Sequence, residues 1–262
     1  MGTVTVKEMR RVNREVRLRK YDLAFDLQGL ARSVIFLYLA TASNKYVKGR
    51  WWGLKGFRDK RLHAISEMDQ VLALSGIAPG KTDMEFSTGP GERDAVDGLM
   101  QEINPDRRPL LVISPYSRWL SKDWPLENYC AVSKAVSEKI LVLFTGTDER
   151  GREIEAGLED CGSHEAINLA GKLSMLEFVE LVGRARLMLT GDSFPMHVAV
   201  ARGTPVIALF GPTDERRVGP LGDNDRVIRV EGCDICDRKI CPRRCLQRLQ
   251  PVQVIEEVAT RL

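Results

Sequence analysis

The chain has 262 residues, of which 44% are hydrophobic and 29% are charged. These proportions are typical of a folded globular protein and exclude an intrinsically disordered chain. The longest apolar run, residues 33–42, is about half of the ~20 residues that a membrane-spanning helix needs, and the N-terminus carries no apolar signal-peptide core. We therefore expect a cytoplasmic protein with one large domain or two smaller ones.

Positive charge is concentrated at the N-terminus, although the net charge is only +3. Residues 1–62 contain 15 Lys and Arg against 5 Asp and Glu, and the first of them predict a basic helix over residues 7–20. Such a helix favours an anionic partner, whether a phosphorylated lipid, a nucleic acid or a membrane surface, or else it is an ordinary solvated face. Because no aromatic residues are interleaved with the basic ones, we do not expect nucleic-acid binding.

The first hundred residues predict few strands. Residues 21–27 and 45–52 are the candidate strands, and an apolar helix over residues 29–40 separates them. Gly and Pro near residues 77–81 and 87–92, followed by Asn104-Pro105-Asp106, indicate a linker. We therefore place a domain boundary near residue 103, which gives domains of residues 1–103 and 104–262. The first has fewer strands than an independent α/β domain usually contains.

From residue 110 onward, short apolar runs alternate with amphipathic segments. This alternation predicts βαβ units, and strands that are apolar throughout predict a parallel sheet covered by helices on both faces. The predicted strands are Leu110–Ser114, Ile140–Thr145, Ala166–Leu169, Leu187–Thr190 and Pro205–Phe210, and the predicted helices are Glu127–Glu138, Ser174–Ala185 and Pro195–Ala201.

The segment 187–212 indicates an anion-binding strand–loop–helix unit. Ser193 is a candidate N-cap and Pro195 suits the first helical turn, so the loop Gly191–Phe194 should present free backbone N–H groups at the carboxyl end of a strand. Phosphates bind in such places. Alternatively, Asp192 and Ser193 merely cap the helix. His197, one turn into the helix, can donate a hydrogen bond to an oxyanion.

Two further loops follow predicted strands at the same edge. The loop after residue 114 contains Ser117, Arg118 and Lys122, which suit a phosphate ligand, although a plain surface loop is the alternative. The loop after residue 144 contains Asp148 and Glu149, either of which could accept hydrogen bonds from a ribose.

These motifs resemble one known family. The string NLAGKLSMLEFVELV…LTGDSFPMHVAVARGTPVIALFGPTD, together with SRWLSKDWP, closely resembles glycosyltransferase family 9, the lipopolysaccharide heptosyltransferases. KYDLAFDLQGLARS and HAISE resemble heptosyltransferase I in particular. The resemblance implies a GT-B architecture of two Rossmann-like domains, and transfer of heptose from ADP-heptose to the Kdo–lipid A inner core with inversion. It also implies a monomer at the cytoplasmic face of the inner membrane, without a cofactor.

The resemblance also implies roles for individual residues. Ser117, Arg118 and Lys122 would contact the donor diphosphate, Glu149 the ribose, and Asp192, Ser193, Phe194 and His197 would form the donor loop and helix. Arg32 would bind acceptor phosphate.

Two departures from the family pattern lead to further expectations. Phe194 replaces a Gly, and it would be strained in any conformation with positive φ. The family's first strand and its S-L-G-D-like loop, whose Asp is the presumed base, have no counterpart in this sequence. The N-terminal domain is therefore expected to be incomplete. We also expect no carboxylate in residues 21–26 to occupy an equivalent strand-to-helix loop near the cleft, so turnover is expected to be slow. The alternative function is a truncated or degenerate relative that binds a sugar nucleotide without efficient turnover.

Four of the six cysteines cluster near the C-terminus. They are Cys233, Cys236, Cys241 and Cys245. Four thiolates are enough for a structural metal site, but their spacing is tight for paired zinc knuckles. We expect no metal, and reduced or redox-labile thiols are the favoured interpretation of this cluster, with a structural metal as the alternative.

Overall fold

The computed structural model describes residues 6–78, 80 and 84–262. The chain divides into two compact units, residues 1–82 and 83–262. The predicted boundary near residue 103 therefore falls inside the second unit.

The first unit is a small parallel α/β unit. It contains α1 (Val6–Leu18), β1 (Lys20–Asp26), α2 (Ala31–Leu39), β2 (Thr41–Lys48), β3 (Lys55–Phe57) and α3 (Ala64–Ala73). Its three strands lie in the order β1-β2-β3, and its core contains Val34, Leu37 and Val47. β1 is an edge strand whose first four residues are exposed. Among the described residues, the sheet of this unit has three strands, whereas open sheets commonly have about four to six. This agrees with the expectation of few strands.

The basic helix is present, and the second strand is displaced from its prediction. α1 exposes Arg10, Arg11, Arg14 and Arg17 on its surface. β2 begins before the predicted residue 45 and ends at Lys48, because Gly49 has φ +120° and interrupts the extended backbone there.

The predicted linker contains a helix. α4 (Pro90–Ile103) begins at a proline, which suits the first helical turn, and the Glu92 carboxylate accepts the Gly89 N–H at 2.8 Å. Val96 of α4 is buried in the core of the second unit. The Gly and Pro residues thus begin a helix that packs on the second unit, which is why the boundary lies before it. The expected linker at residues 77–81 lies partly outside the described residues.

The second unit has one six-stranded parallel sheet between two layers of helices. Its further elements are β4 (Leu110–Ser114), α5 (Leu126–Val136), β5 (Leu141–Phe144), α6 (Asp148–Asp160), β6 (Ile167–Asn168), α7 (Met175–Arg184), β7 (Leu187–Gly191), α8 (Phe194–Arg202), β8 (Val206–Phe210), α9 (Glu215–Val218), β9 (Arg226–Arg229) and α10 (Pro251–Ala259). Every residue of β4, β5, β7 and β8 is buried, which confirms the prediction of strands covered on both faces.

The strand order creates a crevice beside β4. The order is β6-β5-β4-β7-β8-β9, so the chain proceeds outward from β4 through β5 and β6, then crosses to the other side of β4 to form β7. Loops after β4 and β7 therefore diverge from neighbouring strand ends. In open parallel sheets, ligands bind at this point.

No helix among the described residues is both long enough and apolar enough to cross a membrane.

Candidate functional site

A lysine and an aspartate meet at the crevice between β4 and β7. Lys122 lies in a short 3₁₀ helix, Leu120–Lys122, after β4, and Asp192 directly follows β7. The Lys122 Nζ lies 2.6 Å from Asp192 Oδ2, and the two side chains are only 14% and 6% exposed. The Lys122 ammonium also lies 4.3 Å from the centroid of the Trp119 ring. Two of the predicted donor-binding residues are therefore in direct contact.

Thr213 completes this cluster. Its Oγ1 donates to Asp192 Oδ2 at 2.6 Å, so one carboxylate oxygen accepts from both the ammonium and the hydroxyl. Gly191 permits the backbone of Lys122 to lie close to the end of β7, because a Cβ at residue 191 would lie 2.9 Å from the Lys122 carbonyl oxygen. Thr213 follows β8 in the sequence FGPTD. Sequence analysis assigned it no role, although its position after a strand end was a signal for one.

The start of α8 differs from its expectation in two respects. Ser193 is the N-cap residue, but its hydroxyl contacts Gly191 O and Thr190 Oγ1, both at 3.3 Å, instead of capping a helix N–H. Phe194 is the first helical residue and does not have positive φ. The strain that a positive φ would cause therefore does not arise at Phe194, where the helix begins one residue earlier than predicted. The Phe194 ring packs edge-to-face against the Phe86 ring.

His197 lies in the first turn of α8 and is half-buried. Asp192 and Ser193 immediately precede the helix, so the N-terminus of α8, with its partial positive charge, is directed to the same edge. This helix terminus, Lys122 and Thr213 together suit a phosphate group.

The loop between β4 and the 3₁₀ helix is held by internal hydrogen bonds. The Ser117 N–H donates to Asp123 Oδ1 at 2.8 Å, and the Ser117 hydroxyl donates to Trp119 O at 2.9 Å. Burial raises the pKa of Asp123, and the Ser117 N–H opposes this rise. Arg118 is exposed. Ser117 thus shapes the loop that carries Lys122.

Glu149 lies in the first turn of α6, after β5, and is exposed like its neighbour Asp148. Next to it, the Arg150 guanidinium lies 4.5 Å from the centroid of the Tyr116 ring. This contact joins the start of α6 to the loop after β4. Asp148 and Glu149 both lie at the start of α6, after the carboxyl end of β5.

In the first unit, Arg32 is exposed in the first turn of α2. Asp26 is the last residue of β1, and its Oδ1 accepts the N–H groups of Gln28 and Gly29 at 2.8 and 3.0 Å. Its Oδ2 is buried and has no hydrogen-bond partner among the described residues. Asp26 therefore caps the loop between β1 and α2, and the expectation that no carboxylate of residues 21–26 occupies an equivalent loop near the cleft stays a prediction.

The four clustered cysteines are free thiols, two of them buried, namely Cys233 and Cys245. Burial raises the pKa of Cys233 to about 12. N–H groups of Arg243 and Arg244 lower the pKa of Cys241. No group of three or more His, Cys, Asp or Glu side chains in the described part of the chain is arranged to hold a metal ion.

Known proteins resemble this chain over part or nearly all of its length. The chain is 26% identical to lipopolysaccharide heptosyltransferase 2 of Escherichia coli in an alignment 289 positions long, which covers 98% of this chain and 82% of the relative. Lipopolysaccharide core heptosyltransferase OpsX of Haemophilus influenzae is 34% identical over 122 residues, which cover 46% of this chain but only 35% of the relative. The expected similarity to heptosyltransferase I in particular is corrected, because the curated relatives that align with most of the chain are named heptosyltransferase 2.

The fold also matches solved structures. The E. coli heptosyltransferase WaaC with ADP superimposes with a TM-score of 0.72 at 18% identity, and the match covers 98% of this chain and 79% of that chain. The α/β architecture with parallel sheets is thus that of GT-B-like heptosyltransferase structures. The sequence profile described as glycosyltransferase family 9 (heptosyltransferase) matches residues 9–247. Because that match covers nearly the whole sequence and the parallel sheets agree with it, the chain belongs to glycosyltransferase family 9.

Proposed function

We propose that this protein transfers heptose from ADP-heptose to the inner core of lipopolysaccharide. The cluster of Lys122, Asp192 and Thr213 at the crevice between β4 and β7 carries this proposal. It combines a cation, a carboxylate and a hydroxyl beside the N-terminus of a helix. A sugar nucleotide needs these groups, since a diphosphate requires positive charge and a sugar requires hydrogen-bond acceptors and donors.

The donor diphosphate would lie between Lys122 and the N-terminus of α8. In this pose Asp192 accepts hydrogen bonds from the heptose hydroxyls, His197 donates to a phosphate oxygen, and Glu149 accepts from the ribose. Lys122 and the α8 N–H groups stabilise the diphosphate as the bond to the anomeric carbon breaks. The solved structure of a family relative with ADP supports adenine as the base.

The acceptor would be Kdo–lipid A, bound through its phosphates. Arg32 and the exposed arginines of α1 are the cations of the first unit that suit this anionic acceptor. Because lipid A is membrane-anchored, the protein would act at the cytoplasmic face of the inner membrane. An acceptor hydroxyl attacks the anomeric carbon opposite the diphosphate, which inverts that carbon, and its proton passes to a base.

A second candidate function is binding of a sugar nucleotide without efficient turnover. The observation that favours it is the exposure of β1, whose first four residues face solvent along the edge of the three-stranded sheet. A parallel strand is usually buried on both faces, and an acceptor bound beside an exposed β1 would be aligned less well for attack.

Two measurements test these functions. Calorimetric titration should show that the protein binds ADP more tightly than UDP or GDP. A transfer assay with ADP-heptose and Kdo–lipid A should then yield a heptosylated lipid, detected by mass spectrometry. ADP binding without transfer would favour the second function, and equal, weak affinity for all three nucleotides would refute both.

A further inference from the structure

A loop near the C-terminus is docked on the segment that carries Lys122. We call residues 232–245, which contain the four clustered cysteines, the cysteine loop. Ser121 is buried and directly precedes Lys122. Its N–H donates to Lys239 O at 3.2 Å, and its hydroxyl donates to Arg238 O at 2.5 Å. Both hydrogen-bond donors of Ser121 thus go to successive carbonyl groups of the cysteine loop.

The same loop also holds the segment that carries Thr213. The N–H groups of Cys236 and Asp237 donate to Pro212 O at 2.9 and 3.0 Å. Asp237 has φ +49°, one of three non-glycine residues in the described chain with positive φ. This conformation directs two successive N–H groups at one carbonyl oxygen. The loop is therefore anchored beside each of the two residues that donate to Asp192.

The cysteine loop also brings a second lysine near the ring of Trp119. The Lys239 Nζ lies 6.0 Å from the centroid of the Trp119 ring, the same ring that the Lys122 ammonium contacts at 4.3 Å. Lys239 is exposed. In the described part of the chain its ammonium is paired with no carboxylate, whereas the Lys122 charge is partly balanced by Asp192.

The charge balance of the site gives Lys239 a function. The diphosphate of a sugar nucleotide carries two negative charges, and Lys122 is the cation already shared with Asp192. We propose that Lys239 is a second phosphate-binding cation of the donor site and that the cysteine loop positions it through Ser121. This inference rests on the proposed function, because it assigns a further residue to the same donor site.

Titration of inorganic pyrophosphate and of ADP into the parent protein and Lys239→Gln tests the proposal. We expect about tenfold weaker binding of both ligands by Lys239→Gln, the effect of losing one charge-assisted contact. Lys239→Arg should keep most of the affinity. The matched control is Lys139→Gln, an exposed lysine before β5 at the opposite edge of the sheet, which should bind like the parent.

The positioning role is tested with Ser121→Ala, which removes the hydroxyl bond to Arg238 O and substitutes neither lysine. If the loop positions Lys239, the effect of Lys239→Gln on pyrophosphate affinity should shrink in the Ser121→Ala background. Purely additive effects would show that Ser121 is only a structural residue.

Two results would overturn the role of Lys239 as a phosphate-binding cation. One is unchanged pyrophosphate affinity of Lys239→Gln, and the other is an equal loss in Lys139→Gln, which would indicate a general charge effect. Failure of the proposed function can be distinguished from failure of this proposal. If the parent protein binds pyrophosphate but does not prefer ADP, the affinities of the lysine variants for pyrophosphate can still be compared. A parent that binds neither ligand overturns both proposals.

Discussion

Lys122 and Asp192 form a mostly buried ion pair, with 2.6 Å between Nζ and Oδ2, although 70 residues separate them in sequence. Because Asp192 also accepts from Thr213, the pair links the ends of three adjacent strands, β4, β7 and β8. The same two side chains are the central groups of the proposed donor site. We therefore expect ligand affinity and stability to be coupled here.

Lys122→Ala should weaken both ADP binding and the folded state. Loss of a charge-assisted contact to phosphate corresponds to about 1.5–3 kcal/mol of binding free energy. Removal of the cation also leaves the Asp192 carboxylate buried and without its ion pair, which lowers the free energy of unfolding by about 3 kcal/mol. Calorimetry and urea denaturation measure the two effects. The double variant Lys122→Ala/Asp192→Asn should recover part of the stability, and a Lys122→Ala variant as stable as the parent would contradict the coupling.

His197→Ala should affect ligand binding more than folding. The side chain is half-buried at the start of α8, and one hydrogen bond to a phosphate oxygen contributes about 0.5–1.5 kcal/mol. ADP affinity should therefore fall about three- to tenfold while the melting temperature stays close to that of the parent. His164→Ala, an exposed histidine before β6, is the matched control. A large drop in melting temperature with unchanged ADP affinity would instead make His197 a structural residue.

Gly29→Ala should destabilise the first unit more than Gly53→Ala. Both glycines have positive φ, +67° and +71°, so an added Cβ costs about 1–2 kcal/mol at either position. At Gly29 the Cβ would also lie 1.9 Å from the Lys48 carbonyl oxygen, whereas nothing lies within 4 Å at Gly53. Hydrogen exchange of the β1 and β2 amides measures the difference. Equal protection in the two variants would show that the loop yields freely around Gly29.

Cys241 should be the first of the clustered cysteines to react with iodoacetamide at neutral pH. The thiolate is the reactive form, and N–H groups of Arg243 and Arg244 lower the pKa of Cys241, so a larger fraction is ionised there. Burial raises the pKa of Cys233 to about 12, so that thiol stays protonated. Peptide mapping by mass spectrometry gives the order of alkylation. Faster labelling of Cys233 would contradict this assignment, and raising the pH toward 9 should lower the ratio of the Cys241 rate to the Cys233 rate.

The sequence by itself determined the architecture of the second unit. Wholly apolar runs and amphipathic segments of matching length specify buried parallel strands and covering helices, because each pattern buries its apolar side chains in only one of these structures. β4, β7 and β8 were predicted to within a residue or two. The loops at their carboxyl ends, and so Lys122, Asp192, Ser193 and His197, followed from that prediction.

Only the tertiary structure decided which of these residues meet. Strand order depends on how helices pack across the sheet, and local periodicity does not encode it. The crossing that places β7 beside β4 therefore brings Lys122 to Asp192. Likewise, α4 joins the second unit because Val96 is buried in its core, which Gly and Pro at the helix start could not reveal. The cysteine loop contacts Ser121 through the carbonyl groups of Arg238 and Lys239, and every residue type carries a backbone carbonyl. On the side of the loop, these contacts therefore have no side-chain signature in the sequence.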